Sequence, residues 1–209
     1  MRRTPARTSG TSALAGSSRS LTRSPGGASW RRLGLLAAIA LLGPPARPLE
    51  GKVYLSQDEA LRLAFPDAPV ERKTAFLTEA ERDEVARLAG GPKPAALQPY
   101  YVAQKGGSVL GYAYFDVHVV RTQNEVLMVV VKPDGSVGRL EVLSFSEPEE
   151  YLPRAGWYAQ FPGKALGDEL SEKRAIRPVT GATLTVRATT EAVRRVLALH
   201  RILMKKFAP

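Results

Sequence analysis

Hydroxyls, a glycine and a small side chain come together in one run of this chain, Thr180-Gly181-Ala182-Thr183-Leu184-Thr185. The run precedes a long helical pattern, so it falls where the unpaired N–H groups of a first helical turn converge on an anion. Glycine lets the backbone approach a bulky ligand there, and alanine adds little to obstruct it. A threonine hydroxyl held at that mouth is placed to carry a phosphate ester, whose charge the helix end already partly neutralises. The same residues also read as an ordinary helix cap, with Thr185 capping the following turn.

The elements that would position this run can be read on either side of it. After it, Ala188–Phe207 reads as the longest helix, with Val193, Val196, Leu197, Leu203 and Phe207 on one packing stripe. Arg194, Arg195, Arg201, Lys205 and Lys206 fall largely off that stripe, as a solvated face or as a docking surface for an acidic redox partner or anionic lipid. Before it, four runs rich in β-branched and aromatic residues read as strands: Tyr100–Gln104, Val109–Val120, Val126–Lys132 and Val137–Leu143. Gly106-Gly107, Gln123-Asn124 and Pro133-Asp134-Gly135 supply the turns between them. Val126–Val131 is apolar almost throughout, as a strand buried on both faces is. Further upstream, Ser56 with Glu59 and Thr78 with Glu81 have capping-box spacing, so two helices form a small N-terminal layer.

Between the last strand and the threonine run lies Ser144-Phe145-Ser146-Glu147-Pro148, followed by Trp157, Tyr158 and Phe161. Glu147 reads either as a loop acid that bonds backbone or cofactor, or as part of an acidic first turn after a proline start. The aromatics read as a local core or as a wall for a flat ring.

In this order, the glycine-aromatic strand Gly111-Tyr112-Ala113-Tyr114, the apolar strand, the Asp134-Gly135 hairpin, Glu147-Pro148, Thr180–Thr183 and the closing helix resemble one family. It is the FMN-binding domain found in the C subunit of the sodium-pumping NADH:quinone reductase and in the G subunit of the Rnf complex. The resemblance covers roughly residues 98–200. It implies FMN as cofactor, attached through a phosphoester to Thr183, with Thr180, Gly181, Ala182, Leu184, Thr185 and Glu147 around it. It also implies a flavin transferase, using FAD and magnesium, as the modifying enzyme, and neighbouring redox proteins as electron donors and acceptors. The family's modification signal carries an aspartate three residues before its first hydroxyl residue; this chain has Arg177 there, a guanidinium suited to a phosphate.

Composition narrows the function classes. Of 30 Lys and Arg, eight arginines stand in residues 1–49 with no acid, leaving 22 basic against 20 acidic residues in 50–209. Of the net charge of +10, +8 therefore belongs to residues 1–49 and only +2 to the rest, and nucleic-acid binding is not expected. Arg31-Arg32 before an apolar run from Leu33 to Gly43 reads as an export signal or an uncleaved anchor. With no cysteine, disulfides, iron–sulfur clusters and thiolate metal sites are excluded, so redox chemistry must come from an organic cofactor. The two histidines, His118 and His200, read as a strand residue and a helix-surface residue.

The expected architecture is α+β: a curved antiparallel sheet with a small N-terminal helical layer (50–97) and a domain at 98–209 closed by a long C-terminal helix. The expected protein is exported and membrane-associated, and it carries electrons on FMN. A non-covalent FMN-dependent reductase and a cofactor-free envelope interaction module are the alternatives.

Overall fold

The computed structural model describes residues 51–167, 170 and 175–207; the expected leader at 1–49 lies outside them. The fold is α+β, built on an open, six-stranded antiparallel sheet. Its strands are β1 (Lys52–Val53), β2 (Val70–Phe76), β3 (Leu97–Lys105), β4 (Ser108–Val119), β5 (Asn124–Val131) and β6 (Val137–Phe145), in spatial order β1-β6-β5-β4-β3-β2. The helices are α1 (Gln57–Ala64), α2 (Glu79–Ala89), the short α3 (Ala155–Tyr158) and α4 (Thr183–Phe207).

Alternation along the central strands explains the layers. In β5, Leu127, Val129 and Val131 pack in the core shared with α2 and α4, while Met128 and Val130 join Ala60, Leu61 and Phe65 of α1 on the opposite face. From Val126 to Val131 the strand is therefore apolar, because helices cover it on both sides. Gly111 serves the α1 face: a Cβ there would stand 3.3 Å from the Phe65 ring and 3.1 Å from the Val131 carbonyl. Both capping boxes form, with Glu59 and Glu81 accepting from the backbone N–H groups of Ser56 and Thr78. Gly90 closes α2 in the left-handed region, φ 69°.

Three features differ from the sequence expectation. Residues 70–76 form edge strand β2, paired with β3 along its whole length, so the N-terminal part supplies sheet as well as helices. The long helix starts at Thr183, five residues earlier than its apolar stripe suggests. His200 is buried instead of lying on the helix surface; its Nδ1 is 2.9 Å from the Tyr114 hydroxyl, and burial lowers its pKa to about 4. Among the described residues no helix is long and apolar enough to cross a membrane.

Candidate functional site

The threonine run becomes the first turn of α4. Gly181 takes φ 86° with nothing within 4 Å of where a Cβ would be, a left-handed turn that L side chains rarely adopt. Ala182 then stands at the N-cap, its carbonyl accepting from Val186 N–H at 2.9 Å. A methyl group cannot cap a helix. Helices α1 and α2 carry capping boxes, whereas the longest helix of the fold starts on an alanine. Ala182 offers no side-chain oxygen to the N–H groups of the first turn, and groups of this kind are the ones that meet an anion at a helix start.

The two hydroxyls of that turn have different environments. Thr185 is buried, and its Oγ1 donates to the Tyr151 carbonyl at 2.6 Å. Thr183 is exposed, as are Thr180 and Leu184. Ala182 is buried against the core. Within the helix itself the run therefore offers one exposed threonine, Thr183, and one, Thr185, that fastens the mouth to the loop opposite, while the exposed Thr180 lies before the helix.

That loop is where Glu147 acts. Its Oε1 accepts from Thr122 N–H at 2.6 Å, Gln123 N–H at 2.9 Å and the Thr122 hydroxyl at 3.2 Å. Burial pushes its pKa up, but these donors outweigh burial and hold the carboxyl below its ordinary value. Glu147 thereby fixes the turn between β4 and β5, and with it Arg121. The Arg121 guanidinium lies 4.4 Å from the centre of the Tyr151 ring. Arg121 and Tyr151 join Gly181, Ala182, Thr183, Leu184 and Thr185 around a hollow of about 150 Å³. Pro148 does open a turn, the 3-10 segment Glu149–Tyr151, so the acid bonds backbone and the proline starts a helical turn at once.

The next residue, Leu152, lines a larger hollow of about 440 Å³. Its walls include Tyr54, Leu140, Val142, Pro153, Ala155, Tyr158 and Pro162. Trp157 and Phe161 are core residues packed edge-on at 5.2 Å, so of the three aromatics Tyr158 alone faces this hollow. Trp157 Nε1 donates to the Arg177 carbonyl and Arg177 N–H to Gln160 Oε1, which pins the backbone of Arg177 and leaves the residue exposed.

Arg121 and Tyr151 were not singled out from sequence. Arg121 sits in what reads as a plain turn, and only the Glu147 contacts carry it to the helix mouth.

The matched segment of known families falls on this site. Residues 123–198 match the FMN-binding domain. They run from β5 through the Glu147 loop and the threonine turn into α4. The chain is also similar to the G subunit of the Na(+)-translocating ferredoxin:NAD(+) oxidoreductase complex of Acetobacterium woodii, 25% identical over 134 residues. That match covers 59% of this chain and 65% of the relative, so the chain spans just under two thirds of the relative's length. The family match indicates FMN as the cofactor. The residues present fit its phosphate: a helix start that opens on an alanine, an adjacent guanidinium and an exposed hydroxyl. The larger hollow, walled mainly by apolar and aromatic side chains with Arg139 and Glu141 beside them, fits a planar ring.

Proposed function

We propose that this chain binds one FMN at the start of α4, by a phosphoester on Thr183, and relays electrons between redox partners. The observation that carries this is the contrast between the two threonines: Thr183 is exposed at a helix start that opens on an alanine, beside Arg121, and the Thr185 hydroxyl is buried and engaged. Bound FMN supplies the electron-transfer chemistry, while the protein supplies anchorage, shape and charge. The α4 N–H groups and Arg121 hold the phosphate, Glu147 keeps Arg121 in place, and Thr185 holds Tyr151 at the mouth.

Attachment is the work of a flavin transferase that uses FAD and magnesium. The relative's place in a multi-protein ferredoxin:NAD(+) oxidoreductase complex supports neighbouring redox proteins as the electron donor and acceptor. The sequence of residues 1–49 supports a place on the extracytoplasmic face of a membrane. Arg177, where the family's signal has an acid, favours one second reading: FMN held in the same site without the ester.

Co-expression of the full chain with a flavin transferase, followed by a denaturing gel, separates the two. A fluorescent band in the native chain, absent in Thr183→Val, is the expected result. Flavin that co-purifies but leaves on denaturation supports the non-covalent reading, and a colourless protein contradicts both.

A further inference from the structure

Four charged side chains that phosphate and ring binding leave unused form one hydrogen-bonded chain between the sheet and α4. Arg195 donates from Nε to Asp116 Oδ2 at 3.0 Å and from Nη2 to Oδ1 at 2.7 Å. Asp116 Oδ1 is 3.0 Å from His118 Nδ1, and His118 Nε2 is 2.9 Å from Glu125 Oε2. Glu125 is fully buried; its Oε2 also accepts from Thr189 Oγ1 at 2.9 Å, and the Tyr158 hydroxyl approaches Oε1 at 3.5 Å. The placement follows from strand geometry. Asp116 and His118 are two apart on β4 and share a face, and His118 stands directly opposite Glu125 on β5.

With a carboxylate at each ring nitrogen, His118 holds a second proton. Burial disfavours that charge, but the bonds and charges of Asp116 and Glu125 outweigh it and raise the pKa to about 9. Burial likewise pushes Asp116 up, and His118 and Arg195 more than reverse this. One guanidinium and one imidazolium then balance two carboxylates, so loss of the His118 proton would leave a net negative charge under α4. Buried ions cost several kcal/mol each to desolvate, and an apolar cluster would hold the helix as well. Such an arrangement marks a candidate functional cluster.

The chain of groups has two ends. Outward, Asp116 and Arg195 line a surface hollow of about 190 Å³. Inward, Tyr158 faces the large hollow beside the threonine site. Thr189 lies six residues after Thr183 on the same helix, ~9 Å at 1.5 Å per residue.

We propose that Asp116, His118 and Glu125 form a redox-linked proton site, whose hold on its proton tightens when electrons are added to the bound FMN. The proposal rests on the FMN reading. When a redox donor delivers electrons to the FMN, the added negative charge raises the His118 midpoint, so around pH 9, where part of His118 is neutral, a proton drawn from water at the Asp116–Arg195 end forms the N–H bond on that neutral fraction. When the electrons pass to the acceptor, that N–H bond breaks and the proton returns to solvent. A unit charge some 10–15 Å away, at an effective dielectric constant near 20, tightens proton binding roughly tenfold. The groups facing His118 are Asp116 on its own strand, Glu125 on β5, and Arg195 and Thr189 on α4, with Tyr158 of α3 acting through Glu125.

The chain has two histidines, so imidazole-labelled full-length protein gives two titrations, and His200 identifies itself by its low midpoint. Flavin loading is scored first, by fluorescence of the denatured chain. In loaded protein the His118 midpoint is expected near 9 when oxidised and about one pH unit higher after dithionite reduction. Glu125→Gln is expected to lower the midpoint in both states. Equal midpoints in the oxidised and reduced loaded protein overturn the proposal and leave FMN binding standing. So does a His118 that titrates at its ordinary value in unloaded wild type. A chain that takes up no flavin instead overturns the FMN reading, and the coupling with it.

Discussion

Thr183 and Thr185 differ by two positions and by the whole of their chemistry. On a helix two residues apart, side chains point to different faces. Thr185 turns inward onto the Tyr151 carbonyl, and Thr183 turns outward to solvent. Thr185→Val keeps the shape but removes the donor to the half-buried Tyr151 carbonyl, so we expect a loss of about 1 kcal/mol, read as a lower denaturant midpoint at unchanged slope. Arg121→Ala removes the guanidinium that we propose holds the FMN phosphate. In the Thr183→Val background, where no ester forms, FMN affinity should fall at least tenfold, measured by fluorescence quenching. Glu147→Gln keeps the side chain's length but removes the negative charge that gathers two N–H groups. It should loosen the Arg121 turn and weaken FMN binding too, seen as faster hydrogen exchange at Thr122 and Gln123. Unchanged exchange there would remove Glu147 from its positioning role. Glu147 as a loop acid bonding backbone was one of the sequence readings, but its partners Thr122 and Gln123, and the Thr185 bond to Tyr151, were not legible because they lie far apart in the chain.

At the scale of elements, α4 starts on a residue that cannot cap it. Ala182→Ser would supply the missing oxygen, and we expect the unloaded protein to gain about 1 kcal/mol in thermal or denaturant unfolding. The same oxygen would compete with the phosphate for the first-turn N–H groups, so stabilisation by FMN should shrink. A variant that gains stability in both states equally would contradict an anion site at this helix start. The central strands, the Asp134-Gly135 hairpin and both capping boxes were legible because periodicity and turn chemistry are local. The β2 strand was not: Val70-Glu71-Arg72-Lys73-Thr74 is heavily charged, as an exposed edge strand tends to be to avoid pairing with other chains. The early start of α4 was hidden by β-branched Thr183, Thr185 and Val186, which helix propensity disfavours and tertiary contacts retain. Two of the cations read as a solvated face proved to be tethers: Arg195 holds Asp116, and Lys206 bonds Glu81 and the Phe76 carbonyl.

For the molecule as a whole, the two histidines place opposite limits on stability. His118 is protonated in the fold up to about pH 9, so its contribution is complete below its ordinary value near 6.5 and is lost as pH rises through 9. His200 stays neutral down to about 4, so the unfolded chain gains protons first and stability drains as pH falls from 6.5 towards 4. Each effect is on the order of 3 kcal/mol at its limit. Asp116 and Glu147, both held below their ordinary values, add to the loss on the acid side. Urea unfolding across pH should therefore show a maximum near pH 6–7, with the alkaline limb flattened in Glu125→Gln. A curve that keeps rising to pH 10 would contradict an ionised His118 between its carboxylates. The central claim remains the flavin on Thr183, and the most direct measurement is peptide mass mapping of the full chain after co-expression with a flavin transferase. The account predicts the FMN adduct on the peptide containing Thr183, retained in Thr185→Val and lost in Thr183→Val. An adduct mapped to Thr180 or Thr185, or one that survives Thr183→Val, would contradict it.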